Sequence, residues 1–134
     1  MRHRRLLGLL LLTTLLLTAC GGDDDDDTDD LAGVEWRLVA VGADRAPDDL
    51  GATITFAAEG VASGNTGCNG FSGQWQVRGS ELTISGLVMT AMACEDPVMQ
   101  WEAAFTRVLG DTRSYIIDGN QLTLRDASDS TLAI

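Results

Sequence analysis

A chain of 134 residues has room for one domain around a single core, and this one carries a formal net charge of −11. All nine basic residues are arginine, three of them in the first five positions, so loss of a leader before Cys20 leaves six arginines against 20 acids, a net of −14. Such a polyanion has no electrostatic footprint for nucleic acid and is repelled by anionic headgroups, which excludes both partners and predicts a soluble domain.

Met1 to Arg5 is a positive stretch, and Leu6 to Leu17 is an apolar run interrupted by Gly8, Thr13 and Thr14. Twelve helical residues rise ~18 Å, short of the roughly 20 residues needed to cross a bilayer core. Residues 1–19 therefore read as a secretory signal peptide. The run ends in Leu17-Thr18-Ala19-Cys20, which looks like a bacterial lipobox; the alternative is a plain signal peptide with an incidental cysteine. On the lipobox reading Cys20 is the acylated first residue, and two or three acyl chains hold a protein firmly to a membrane. Residues 20–30 continue as a tether, with seven aspartates between Asp23 and Asp30. Like charges at this density repel and offer no apolar face, which predicts a disordered, extended spacer. The tract lacks the Gly and terminal Glu of a calcium-binding loop.

From Leu31 to Ile134 short β-like runs recur, punctuated by glycine. Glu35 to Val41 reads as a first strand, Gly42 to Gly51 as a loop, and Thr53 to Phe56 as a strand with Ile54 and Phe56 on one face. A turn at Ala57 to Gly60 leads into Val61 to Gly64. The stretch Gly64 to Trp75 is then dense in glycine and asparagine, residues that tolerate positive φ. Phe71, Gly73, Trp75 and Val77 share a face, Arg78-Gly79-Ser80 turns the chain, and Glu81 to Ile84 returns it. One helix follows Cys94, with Asp96 as its cap, Pro97 at its first helical position and Gly110 as its C-cap. Val98, Trp101, Phe105, Val108 and Leu109 form its apolar stripe, with Gln100, Glu102 and Arg107 placed away from it. Ser114 to Ile117, Gln121 to Arg125 and Thr131 to Ile134 close the chain as strands. The expected fold is α+β and mainly β: a strongly curved antiparallel meander, a partly closed barrel, with one amphipathic helix.

The inventory of chemistry is thin. With His3 in the leader and no lysine anywhere, neither a histidine-activated nucleophile nor a Schiff base can be built. Two cysteines plus carboxylates fit common zinc ligand sets poorly. No catalytic residue, metal or cofactor is expected. Cys68 and Cys94 remain once Cys20 is lipidated, and in an exported protein they read as a disulfide, the alternative being two independent buried thiols.

These residues resemble the META/HslJ family of small bacterial domains. The resemblance runs from Trp36 to about Ile134 and rests on Trp36-x-Leu38, Gly67-Cys68-Asn69 followed by Gly73, Thr90-x-Met92-Ala93-Cys94, Glu102 and Leu122-Thr123-Leu124. It implies a curved antiparallel sheet with one helix, a connection with heat-shock and envelope stress, and no established catalytic residues. Gly67, Cys68, Asn69, Gly73, Thr90, Met92 and Cys94 are accordingly expected to serve structure, Asn69 and the glycines through backbone geometry. The expected protein is a monomeric, non-enzymatic lipoprotein, held to the membrane through Cys20 on the extracytoplasmic face of the envelope and engaging an envelope protein partner. The alternative is a carrier of a small apolar ligand or lipid, with Trp36, Trp75 or Trp101 facing a cavity.

Overall fold

The computed structural model describes residues 28–134, with side chains from Asp30 onward. The leader over residues 1–19, Cys20 and the tether as far as Asp27 lie outside the described residues. A single helical turn, α1 (Thr28–Leu31), buries Leu31 completely and delivers the chain to the sheet. Ten strands follow: β1 (Glu35–Arg37), β2 (Ala40–Val41), β3 (Asp44–Arg45), β4 (Thr53–Phe56), β5 (Val61–Asn65), β6 (Gly70–Arg78), β7 (Glu81–Met89), β8 (Ser114–Asp118), β9 (Gln121–Arg125) and β10 (Thr131–Ala133). The main helix, α2 (Asp96–Asp111), lies between β7 and β8 in the chain.

All ten strands belong to one antiparallel sheet, in the order β1-β4-β5-β6-β7-β8-β9-β10-β2-β3. The run Glu35 to Val41, expected as one strand, is therefore two strands at opposite ends of the sheet. The change of neighbour occupies a single peptide link. Leu38 N–H donates to Ala52 O at 3.0 Å, whereas Val39 N–H donates to Ile134 O at 2.7 Å. β4 has only four residues to offer, so the chain beyond Leu38 pairs with the last strand instead. The presumed loop over residues 42–51 contains the small β2–β3 hairpin, paired Ala40↔Arg45 and Val41↔Asp44.

The expectation of a partly closed barrel is overturned. β1 and β3 are the two edges of the sheet, and no ladder joins them. Only Leu38 and Val39 separate β1 from β2, so the sheet curves enough to bring its ends near each other, yet it stays open. The meander holds only from β4 to β10. Even there β7 and β8 share a single registered pair, Glu81↔Ser114, because α2 intervenes.

The best-registered part runs from β4 to β7, with β6 and β7 nine residues each. Phe71, Gly73, Trp75 and Val77 do share the inner face. Opposite Gly73 the register slips by one residue, Ser72 pairing with Val88 and Gln74 with Ser85, which places an extra residue in β7 as a bulge. The core gathers Phe56, Phe71, Leu82 and Ile84 from the sheet with Phe105, Val108 and Leu109 from α2. Edge-on ring pairs lock it: Phe56 with Trp75, centroids 5.5 Å apart, and Phe71 with Phe105 at 6.1 Å.

The ends of α2 differ from expectation. Glu95, in extended conformation, occupies the N-cap position without a side-chain cap bond, so Asp96 is the first helical residue and Pro97 the second, each one place later than expected. Gly110 lies inside the helix, and Thr112 ends it. Thr112 is fully buried, and both its N–H (3.0 Å) and its hydroxyl (2.8 Å) donate to Val108 O. That double bond to one carbonyl replaces the glycine stop.

Candidate functional site

The loop from β5 to β6, the segment after β7 and the first turns of α2 meet at one buried point. Thr66 N–H donates to Asn69 O at 2.8 Å, and Asn65 Oδ1 accepts Gly67 N–H at 2.7 Å, so the loop is closed on itself. Gly67 has φ +103°, and a Cβ there would stand 2.6 Å from Leu50 Cδ1; both facts require glycine. Cys68 is bonded to Cys94, Cα atoms 6.0 Å apart, which pins the loop to the chain entering α2.

Asn69, 2% exposed, is the centre of this hub. Its Oδ1 accepts from Thr90 Oγ1 at 2.8 Å and from Met92 N–H at 2.7 Å. Its Nδ2 donates to Met92 O at 3.1 Å and to the Glu102 carboxylate at 2.9 and 3.1 Å. Its backbone N–H reaches Thr66 Oγ1 at 3.0 Å and Glu102 Oε2 at 3.2 Å. The amide thus reads as a splint between three segments, where backbone geometry alone was expected.

Glu102 is the residue that sequence reasoning misplaced. It was put off the apolar stripe, yet it is 9% exposed. Its position follows from helix geometry: it lies four residues after Val98 and three before Phe105, on the inward face. That spacing was the available signal. Thr66 Oγ1–H donates to its Oε2 at 2.5 Å. This bond is the largest influence holding the carboxyl below its ordinary pKa; burial opposes it, and the Asn69 side chain and backbone N–H add to it. The anion is held by neutral donors alone.

Gly73, the remaining glycine of the motif, faces the β7 bulge. A Cβ there would stand 2.8 Å from Ser85 O, a backbone atom. Met92 contributes through its main chain, its side chain being 60% exposed. Among the described residues no group of three or more His, Cys, Asp or Glu could hold a metal ion. The hub has no free thiol, and its carboxylate is fully engaged by donors. Its chemistry is that of a brace.

A second feature lies elsewhere. A slot of about 860 Å³ runs along β1, walled on its other side by the β8–β9 turn and the start of β9, and floored by Ile54 and Phe105. Of the three tryptophans considered for a cavity, Trp36 lines the slot and Trp75 and Trp101 do not. Trp36 Nε1–H donates to Leu31 O at 3.2 Å, and Trp75 Nε1–H to Ala57 O at 2.8 Å, so both indoles are fixed. No helix among the described residues is long and apolar enough to cross a membrane.

The META domain family model matches residues 29–134. This chain belongs to the META domain family. The heat shock protein HslJ of Escherichia coli K12 is 33% identical to this META domain over 78 residues, 58% of this chain and 55% of that protein. The chain therefore spans about half the length of the curated relative it matches. Two NMR structures are 30% identical: one of a protein from Burkholderia xenovorans, with TM-score 0.62 over 80% of this chain and 83% of that one, and another with TM-score 0.63 over 78% and 90%. A crystal structure of a DUF4847 family protein from Bacteroides vulgatus shares the fold at 19% identity, with TM-score 0.60 over 78% of this chain and 92% of that one.

Proposed function

We propose that this META domain is a non-enzymatic, lipid-anchored module on the extracytoplasmic face of the cell envelope, supporting the envelope under stress by holding a protein partner. The observation that carries the reading is the division of the motif residues from the open surface. Cys68, Asn69, Thr90 and Cys94 bind one another and Glu102 in the interior, which leaves recognition to the slot along β1. The Leu17–Cys20 sequence supports acylation at Cys20, and the Cys68–Cys94 disulfide suits an oxidising, exported location. The heat-shock name of the Escherichia coli relative supports the stress association. The test is deletion combined with crosslinking of the anchored protein in cells. Heat or envelope-stress sensitivity, restored by the wild-type gene and not by Cys20→Ala, is expected, together with a specific crosslinked partner. Unchanged stress tolerance with no partner contradicts the reading.

The alternative of a small-molecule carrier draws on the apolar floor and size of the slot, which falls within the usual range of ligand pockets. Native mass spectrometry of detergent-free protein distinguishes it: a stoichiometric co-purifying lipid supports carriage, and the bare polypeptide mass counts against it.

A further inference from the structure

β1 is an edge of the sheet. Leu38 N–H bonds to Ala52 O, and the register pairs Trp36 with Ile54. In an antiparallel ladder the bonded residues alternate, so the N–H and C=O of Glu35 and Arg37 turn away from β4, toward the slot. Across it, β10 pairs with β9 at Arg125 and Leu124, so Gln121 and Leu122 have no strand beside them on that face. Two bare stretches of strand therefore flank one slot, over an apolar floor of Ile54 and Phe105. Val34 and Val39, flanking β1, are 42% and 47% exposed and also line it.

Charge selects the occupant. Asp30 and Glu35 stand exposed on the lining. Arg37 is the one cation on the lining and its guanidinium donates to the carbonyl of Asp48; among the described residues the one ion pair is Arg45–Asp48, so neither acid is paired and the acids outnumber the cation two to one. The carboxylate of a fatty acid would meet these acids, whereas lysine or arginine would be drawn to them.

Resting on the partner-binding reading, the geometry points to the slot as the site where an extended segment of a partner protein adds as a strand against β1, apolar at alternate positions and flanked by lysine or arginine. Strand addition supplies backbone bonds for affinity and side-chain pockets for specificity. The three residues of β1, Glu35 to Arg37, offer about 10 Å of track at ~3.4 Å per residue, ending where Ile134 O takes the Val39 N–H. Every second side chain of the guest would face Ile54 and Phe105.

The test uses the full mature protein and a fluorescent ten-residue peptide of alternating valine and threonine with two lysines at each end. Saturable binding is expected, at least tenfold weaker when the lysines are replaced by glutamates and lost when alternate backbone nitrogens are methylated. Glu35→Arg should narrow or reverse the lysine–glutamate preference. Arg37→Pro, which removes an edge N–H that β4 does not use, should weaken binding tenfold or more. Equal affinity for the methylated peptide, or occupation by palmitate and not by the lysine peptide, overturns the proposal. A photo-crosslinker at Val34 separates this failure from that of the wider reading. Partner capture from Val88, on the outer face of β7, with none from Val34 refutes the slot and leaves partner binding standing.

Discussion

The hub around Asn69 and the slot along β1 are built from the same sheet and are held in opposite ways. In the hub, three chain segments are joined by a disulfide and by hydrogen bonds to both ends of one amide. In the slot, backbone groups at a sheet edge face an apolar recess, with exposed valines at both ends. Buried polar groups are tolerated where they are fully satisfied, and a bare edge is a template for another strand. The comparison separates two kinds of residue: those whose loss removes the fold, and those whose loss removes only what the fold presents.

The sharpest way to break the comparison is Asn69→Ala. It strands Thr90 Oγ1 and the Met92 N–H, and takes the Nδ2 donor from the Glu102 anion. A buried charge short of one donor group, with orphaned neighbours, predicts a loss of about 3 kcal/mol, read as a fall in the urea midpoint. Removing the disulfide with Cys68→Ala and Cys94→Ala frees a loop with sequence separation 26, for which the chain-entropy model gives about 3.5 kcal/mol. Gly73→Ala places a methyl against Ser85 O and should cost about 2 kcal/mol through a shifted bulge.

Acidity probes the hub more gently. Glu102 is held below its ordinary value of 4.5, chiefly by the Thr66 hydroxyl. The native state therefore binds fewer protons than the unfolded chain. This stabilisation is complete above the unfolded pKa and is lost as pH falls through the lower folded pKa. Urea midpoints taken from pH 7 down to pH 3 should fall, and Glu102→Gln should start lower and fall less steeply over that window. The smallest stability effect belongs to the slot: Arg37→Pro should change unfolding free energy by under about 1 kcal/mol while reducing peptide affinity tenfold or more. If instead it destabilised as much as Asn69→Ala, the distinction between the two regions would collapse.

Much of the architecture was legible because it is local. Thr53 to Phe56 alternates and is β4 to the residue; the turn at Gly79 joins the strands it was expected to join; Pro97 marks the first turn of α2. What failed is non-local. Nothing in Glu35 to Val41 records that β4 reaches only as far as Arg37 and that Ile134 takes over the pairing at Val39. An open sheet and a partly closed one use the same alternating strands, and only the absence of an edge-to-edge ladder tells them apart. Glu102 shows a different failure. Its position fits the buried stripe, and its chemistry argued for solvent, because the donors that make burial tolerable, Thr66 and Asn69, come from a loop more than 30 residues away. The slot was not legible at all, since its two walls, β1 and β9, meet only through the curvature of the whole sheet.

Amide hydrogen exchange on the protein, with and without saturating lysine-flanked peptide, tests the division of labour most directly. The account predicts new protection at the Glu35 and Arg37 amides, with the Thr66 and Asn69 amides slow in both states. Protection that appears around Asn69 while the β1 amides exchange as before would contradict it.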